Sequence, residues 1–219
     1  MPNRTMFRPA LAGIIEPTAF AITFTILGLV RDGYSLKAEQ ISDLGATGTD
    51  LAILQDINFI IAGLLILVLA IGMFRLSEFG KRAKTGSGFV ALIGLGLVAS
   101  GIFSADPRDL QESTSAGGLH DLFGIITFLS AFTAMFVMSR SLPRYKYWQT
   151  LRVPSLVWGV VTFALLALFI ASDPVENTSE LVSWTGAIQW AFAGAFLLWI
   201  VVMALALFRR ADTESAILP

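Results

Sequence analysis

The sequence predicts an all-α polytopic membrane protein, a bundle of six transmembrane helices with both termini in the cytoplasm. Three observations carry that expectation. Six apolar runs approach the ~20 residues that a bilayer requires. The connections between them alternate between basic and acidic. The 219-residue chain is 55% hydrophobic and only 14% charged, with a mean hydropathy of +0.74, far from the balance of an ordinary soluble domain.

The first run, Pro9 to Val30, follows Arg4 and Arg8 and imitates a secretory signal, with Ala19-Phe20-Ala21 in the place of a cleavage site. Apolar residues continue through Ile22 to Val30, long enough to span, so the run reads as a retained helix. The other runs are Leu51 to Phe74, Gly86 to Phe103, Leu119 to Met138, Val153 to Ala171 and Trp184 to Phe208. Together they make residues 1–219 a single six-span membrane domain.

Orientation follows from the loops. Arg4, Arg8, Arg75, Lys81, Arg82, Lys84, Arg140, Arg144, Lys146, Arg152, Arg209 and Arg210 fall on one side, against Arg31, Lys37 and Arg108 on the other. Such an excess of basic residues close to the spans assigns the first side to the cytoplasm and the chain to the cell (inner) membrane. The acidic residues run the opposite way: Asp32, Glu39, Asp43, Asp50, Asp56, Asp106, Asp109, Glu112, Asp121, Asp173, Glu176 and Glu180 lie at or near the outer side. That field attracts cations and disfavours nucleic acid as a partner. Tyr34 and Trp184 flank outer ends, and Tyr145, Tyr147 and Trp148 an inner end, as interfacial anchors. Gly96 with Ser100, and Ala187, Ala191 and Ala195, form small-residue faces suited to close helix contact, within a compact bundle or in a homo-oligomer or with a membrane-protein partner.

Polar residues in and beside the spans mark where chemistry could reside. In the first outer loop, Ser35 caps a short helix over Leu36 to Leu44, with Gly45 at a left-handed stop; the helix lies on the membrane surface or folds into the bundle mouth with Ser42 and Asp43. The second span carries Asp56, near enough to the interface to be solvated, and Asn58, an interhelical hydrogen-bonding residue or a ligand contact. Asp106 leaves the third span where His120, the single histidine, enters the fourth. The first turn of a helix favours neutral imidazole, able to accept a proton or ligate a metal. Gln189 lies one turn into the last span. Glu16, before Pro17, is instead in the cytoplasmic half of the first span, as a protonated or paired acid or a station on a polar path.

Ile41-Ser42-Asp43-Leu44-Gly45, Asn58-Phe59-x-x-x-Gly63, Gly101-Ile102-Phe103-x-x-Asp106, Leu119-His120 and Gly186-x-x-Gln189 occur in that order along the chain. In order and placement they resemble the prokaryotic membrane proteins catalogued as domain-of-unknown-function family 998. The resemblance covers most of the chain and implies the six-span fold and a site among these residues. That family is expected to have a basic residue after the glutamine, where this chain has Trp190. The Ser-Asp-x-Gly element is also similar to one in eukaryotic membrane proteins related to Frag1, DRAM and Sfk1, some tied to lipid handling.

Three functions fit this inventory. The first is binding of a membrane lipid, another hydrophobic small molecule or a membrane partner at the outer mouth, with Asp43, Asn58 and Gln189 as contacts. The second is outer-leaflet hydrolysis of a lipid-like substrate, with Ser42 as nucleophile, His120 as base and Asp106 or Asp43 as orienter, or with His120, Asp106 and Asp43 holding a divalent metal ion. The third is transport along Glu16, Asp56 and Asn58. The absence of cysteine excludes iron–sulfur clusters and thiol chemistry; one histidine excludes bis-histidine haem; and no span carries the lysine that a retinal Schiff base needs.

Overall fold

The computed structural model describes residues 4–76, 78–108, 110–144, 146–172 and 180–217. Asp109, Tyr145, Asp173 and Glu176, and the side chains of Arg4, Lys146 and Tyr147, lie outside that description. The described residues form seven α-helices: α1 (Arg4–Val30), α2 (Ala52–Phe74), α3 (Lys81–Ile102), α4 (Ser115–Ser141), the single turn α5 (Lys146–Gln149), α6 (Arg152–Ala171) and α7 (Thr185–Ile217). Six of the helical stretches are long and apolar enough to cross a membrane. No strand occurs among the described residues.

Each spanning helix packs against the next in sequence, and α7 closes on α1, so the six form a ring. Each connection returns the chain across the bundle, so sequential helices are antiparallel neighbours. Inside lipid the helices gain little from excluding water, and close packing takes over. At the α2–α3 seam a Cβ on Gly63 would collide with the Gly94 carbonyl and the Val98 side chain. At the α3–α4 seam Gly96 lies against Thr127 in the same way, as its small-residue face predicts. Along the alanine stripe of α7, Ala187 N donates to the Lys37 carbonyl and the Ala195 carbonyl accepts from Trp158 Nε1, while Ala191 is exposed; Gly186 makes the closest approach, at the helix start. The interior is filled by Ile66, Leu69, Met73, Ile93, Met135, Met138, Ile200, Met203 and Leu207, all essentially inaccessible. Leucine, isoleucine and valine on the outer faces, such as Ile53, Leu95, Val153 and Leu198, are largely exposed and suit contact with acyl chains.

On the face bearing the termini, Glu78 gathers three elements. Its carboxylate accepts from Arg210 Nε at 2.8 Å and Nη2 at 3.1 Å, and from Trp148 Nε1 at 3.1 Å. Trp148 is buried edge-on against Phe79, ring centroids 5.0 Å apart. It is therefore a packing residue of the bundle, and not the interfacial anchor expected of it.

The opposite, distal face is covered by the first connection, which folds into the mouth of the ring. The α-helix expected over Leu36 to Leu44 is replaced by a turn held by Ser35, whose carbonyl accepts from Glu39 N at 2.8 Å, and a 3₁₀ helix over Ile41–Gly45. Gly45 is not left-handed; the positive-φ glycines are Gly33 and Gly48. Its lack of a side chain serves close approach, because a Cβ there would lie 2.9 Å from Asp56 Oδ1.

Candidate functional site

The covering segment is fixed to the ring by bonds whose partners are distant in sequence. Ile41 N donates to Gln189 Oε1 at 2.5 Å, and Ala187 N to the Lys37 carbonyl at 3.0 Å. Gly186 lets α7 slide beneath the Leu36 and Glu39 carbonyls. On the other flank Thr47 N donates to Ala105 O at 2.9 Å. Asp43 is buried in this joint: its carboxylate accepts from Gln40 N at 2.5 Å and pairs with Arg108 Nε at 2.6 Å, and its carbonyl accepts from Arg31. Burial pushes the Asp43 carboxyl above its ordinary range, and the Arg108 guanidinium opposes that rise.

Asp106 organises a neighbouring element. Its carboxylate accepts from Thr114 Oγ1 and N, both at 2.7 Å, and from Ser113 Oγ at 3.1 Å, while Thr114 caps α4 by accepting from Gly117 N at 3.0 Å. The Thr114 hydroxyl, and then its amide, hold the Asp106 carboxyl below the ordinary value of 3.8. One turn further on, His120 Nδ1 lies 2.9 Å from both the Ser100 and Phe103 carbonyl oxygens. Carbonyls only accept, so Nδ1 carries a proton, and the matching neutral tautomer has its lone pair on Nε2. Phe59 braces the ring edge-on at 6.0 Å.

Beneath the covering segment lies a cavity of about 480 Å³. Gln40, Ser42, Ser100, His120, Asp121 and Gln189 line its distal end, and Phe20, Phe59, Leu97, Ala131, Leu166, Phe196 and Leu197 its depth. Ile125 and Leu129 of α4 and Ile170 of α6 also line it while being about half exposed or more on the bundle's outer surface. The cavity therefore opens sideways between α4 and α6, at the level of the apolar belt. From His120 to Ala131, α4 rises about 16 Å, roughly half of a ~30 Å hydrocarbon core.

Three of the sequence-derived residues thus share one chamber: Ser42, His120 and Gln189. Asp43, Asp106 and Asn58 do not line it. Ser42 Oγ donates to Gln40 Oε1 at 3.3 Å, and no hydrogen bond joins Ser42, His120 and Asp106 among the described residues. Among those residues no three of histidine, aspartate and glutamate gather to hold a metal ion. Asn58 makes the interhelical bond expected of it, Nδ2 to the Phe20 carbonyl at 3.3 Å. Asp56 is not simply solvated: Oδ2 accepts from Ser104 Oγ at 2.7 Å, and Oδ1 is buried. Glu16 is 1% exposed, and its carboxylate oxygens meet no hydrogen-bond partner among the described residues. None of Glu16, Asp56 and Asn58 lines the chamber.

A family model described as Protein of unknown function (DUF998) matches residues 14–206. The chain belongs to that family. The motifs that suggested this membership are chiefly joints in this family member: Ile41 to Gly45 grips Gly186 to Gln189, and Gly101 abuts the Asp56 backbone. Trp190, standing where a cation was expected, packs edge-on against Phe24 at 4.5 Å. No curated protein and no solved structure matches the chain. Sequence reasoning missed Gln40 and the apolar walls of the chamber; Gln40 is the polar residue before the Ser-Asp-x-Gly element, whereas Leu97, Leu166 and Phe196 carry no local signal that separates a cavity wall from a packed core.

Proposed function

We propose that this protein binds a single amphiphile drawn from the outer leaflet of the cell membrane. Its chain lies in the chamber and its head at the Gln40, Ser42, His120 and Gln189 end. One observation carries this reading: the chamber is polar at its distal end, apolar below but for Thr127, whose hydroxyl donates to the Phe123 carbonyl, and open to the bilayer between α4 and α6. Ligand sites are concave and mostly apolar, with a few converging polar groups, and a lateral opening lets a lipid enter without crossing water. The basic bias of the termini side supports an outward-facing mouth.

Native mass spectrometry of protein extracted from membranes tests the proposal. Gly124 lines the chamber, and a Cβ there meets nothing within 4 Å, so Gly124→Leu is expected to extend its side chain into the space. Wild type is expected to carry one lipid adduct that the variant has lost. A bare wild-type protein, or equal adducts on both, contradicts it.

A second reading, hydrolysis of the bound amphiphile, is favoured because Ser42 and the Nε2-bearing ring of His120 line the same chamber. Here two carbonyls, and not Asp106, would orient the imidazole. Covalent labelling by a fluorophosphonate that is abolished by Ser42→Ala supports it; labelling indifferent to Ser42→Ala, or absent, removes it.

A further inference from the structure

The chemistry at the chamber's polar end restricts the head group. Three basic residues belong to the distal face, Arg31, Lys37 and Arg108, and each is engaged elsewhere. Arg31 donates to the Asp43 carbonyl; Arg108 pairs with the Asp43 carboxylate and donates to Ala38 O at 3.1 Å; Lys37 Nζ lies 4.2 Å from the Trp184 ring centroid. Among the described residues no lysine or arginine lines the chamber. Asp121, on its rim, adds an acid. An anionic phosphate brought here would be desolvated without a counter-charge, which is expensive.

A neutral hydroxyl head meets the opposite situation. With the two carbonyls holding a proton at Nδ1, the neutral tautomer of His120 offers Nε2 as an acceptor. Gln189 spends its oxygen on Ile41 N, which turns its amide NH₂ to other acceptors. The Ser42 hydroxyl and the Gln40 amide complete a set able both to donate to and to accept from an alcohol. The volume is at the modest end of the ~300–1,000 Å³ typical of ligand pockets, and its depth matches one leaflet, so it suits one chain and not two.

Resting on the lipid-binding reading, we infer that the ligand is an uncharged, hydroxyl-headed, single-chain amphiphile of the monoacylglycerol or long-chain alcohol class, and that phosphate-headed lipids are rejected for want of a cation. The neutral head is held by His120, Ser42, Gln40 and Gln189. A single cation placed at the mouth reverses the preference.

The test compares a monoacylglycerol with the lysophosphatidate of the same acyl chain, by titration of the full-length protein in nanodiscs of neutral lipid. Wild type binds the monoacylglycerol at least about tenfold more tightly. Ser42→Lys, at a half-buried position whose one hydroxyl bond is to Gln40, brings lysophosphatidate to parity or better. Gly124→Leu weakens both and shows that the titration reads the chamber. Equal binding of the two lipids to wild type overturns the head-group assignment and leaves the lipid-binding reading standing. So does an unchanged preference in Ser42→Lys that folds as wild type. Binding of neither lipid, with Gly124→Leu without effect, overturns both.

Discussion

At the scale of single residues, the least conspicuous side chains do the positioning. Gly186 has no functional group, yet a Cβ on it would strike the Glu39 carbonyl and lie 2.8 Å from the Leu36 carbonyl. Backbone cannot yield as a side-chain tip does, so Gly186→Ala is expected to cost about 1–3 kcal/mol. Gly124→Ala, whose Cβ meets open space, is expected to be near neutral; thermal unfolding of both variants in one detergent measures the difference. The histidine and glutamine that stood out in the sequence do face the same chamber, but their fixed atoms were not legible there. Nothing in Leu119-His120 says that Ser100 and Phe103 will hold Nδ1, because those carbonyls are freed only where α3 ends. Trp148 illustrates the reverse error: an aromatic at a span boundary reads as an anchor until the distant Phe79 and Glu78 are seen to enclose it.

At the scale of elements, spanning helices were legible because hydropathy is a sum over ~20 residues and tolerates local exceptions. Expected and observed spans differ mainly at their polar ends, where α3 begins at Lys81 and α4 at Ser115. The covering segment was harder to read, since a turn followed by a 3₁₀ helix is decided by its bonds to α7 and to the third connection, not by its own periodicity. Asp106, read as a catalytic or metal-binding acid, anchors the start of α4 through Thr114 and Ser113. Its carboxyl titrates below the ordinary value of 3.8. The stabilisation it supplies is therefore fully present above that value and is lost as pH falls through the lower folded one. Asp106→Asn is expected to be less stable than wild type at neutral pH and to lose this part of the acid-induced decline. Unfolding followed from pH 7 downward checks it, and parallel pH profiles for the two proteins would contradict it.

At the scale of the whole molecule, the ring of six helices, its covered distal face and the lateral opening make one arrangement in which membrane position determines what can enter. Charge asymmetry was legible in the sequence as a difference between loops, whereas the chamber was not, because its walls come from every spanning helix. Orientation is directly measurable in a chain without cysteine. Single substitutions Ser183→Cys and Lys81→Cys, both at exposed positions, are expected to react with a membrane-impermeant maleimide from outside and only after permeabilisation, respectively. The reverse pattern would place the mouth in the cytoplasm.

The central claim is that the chamber, and not the outer surface of the bundle, holds the acyl chain. A monoacylglycerol carrying a photoreactive diazirine along its chain, activated in nanodiscs and mapped by peptide sequencing, tests it most directly. Crosslinks are expected at Leu97, Ala131, Leu166 and Phe196, and to disappear in Gly124→Leu. Crosslinks spread over outward-facing residues such as Ile53, Val153 and Leu198, and unchanged in that variant, would contradict the account.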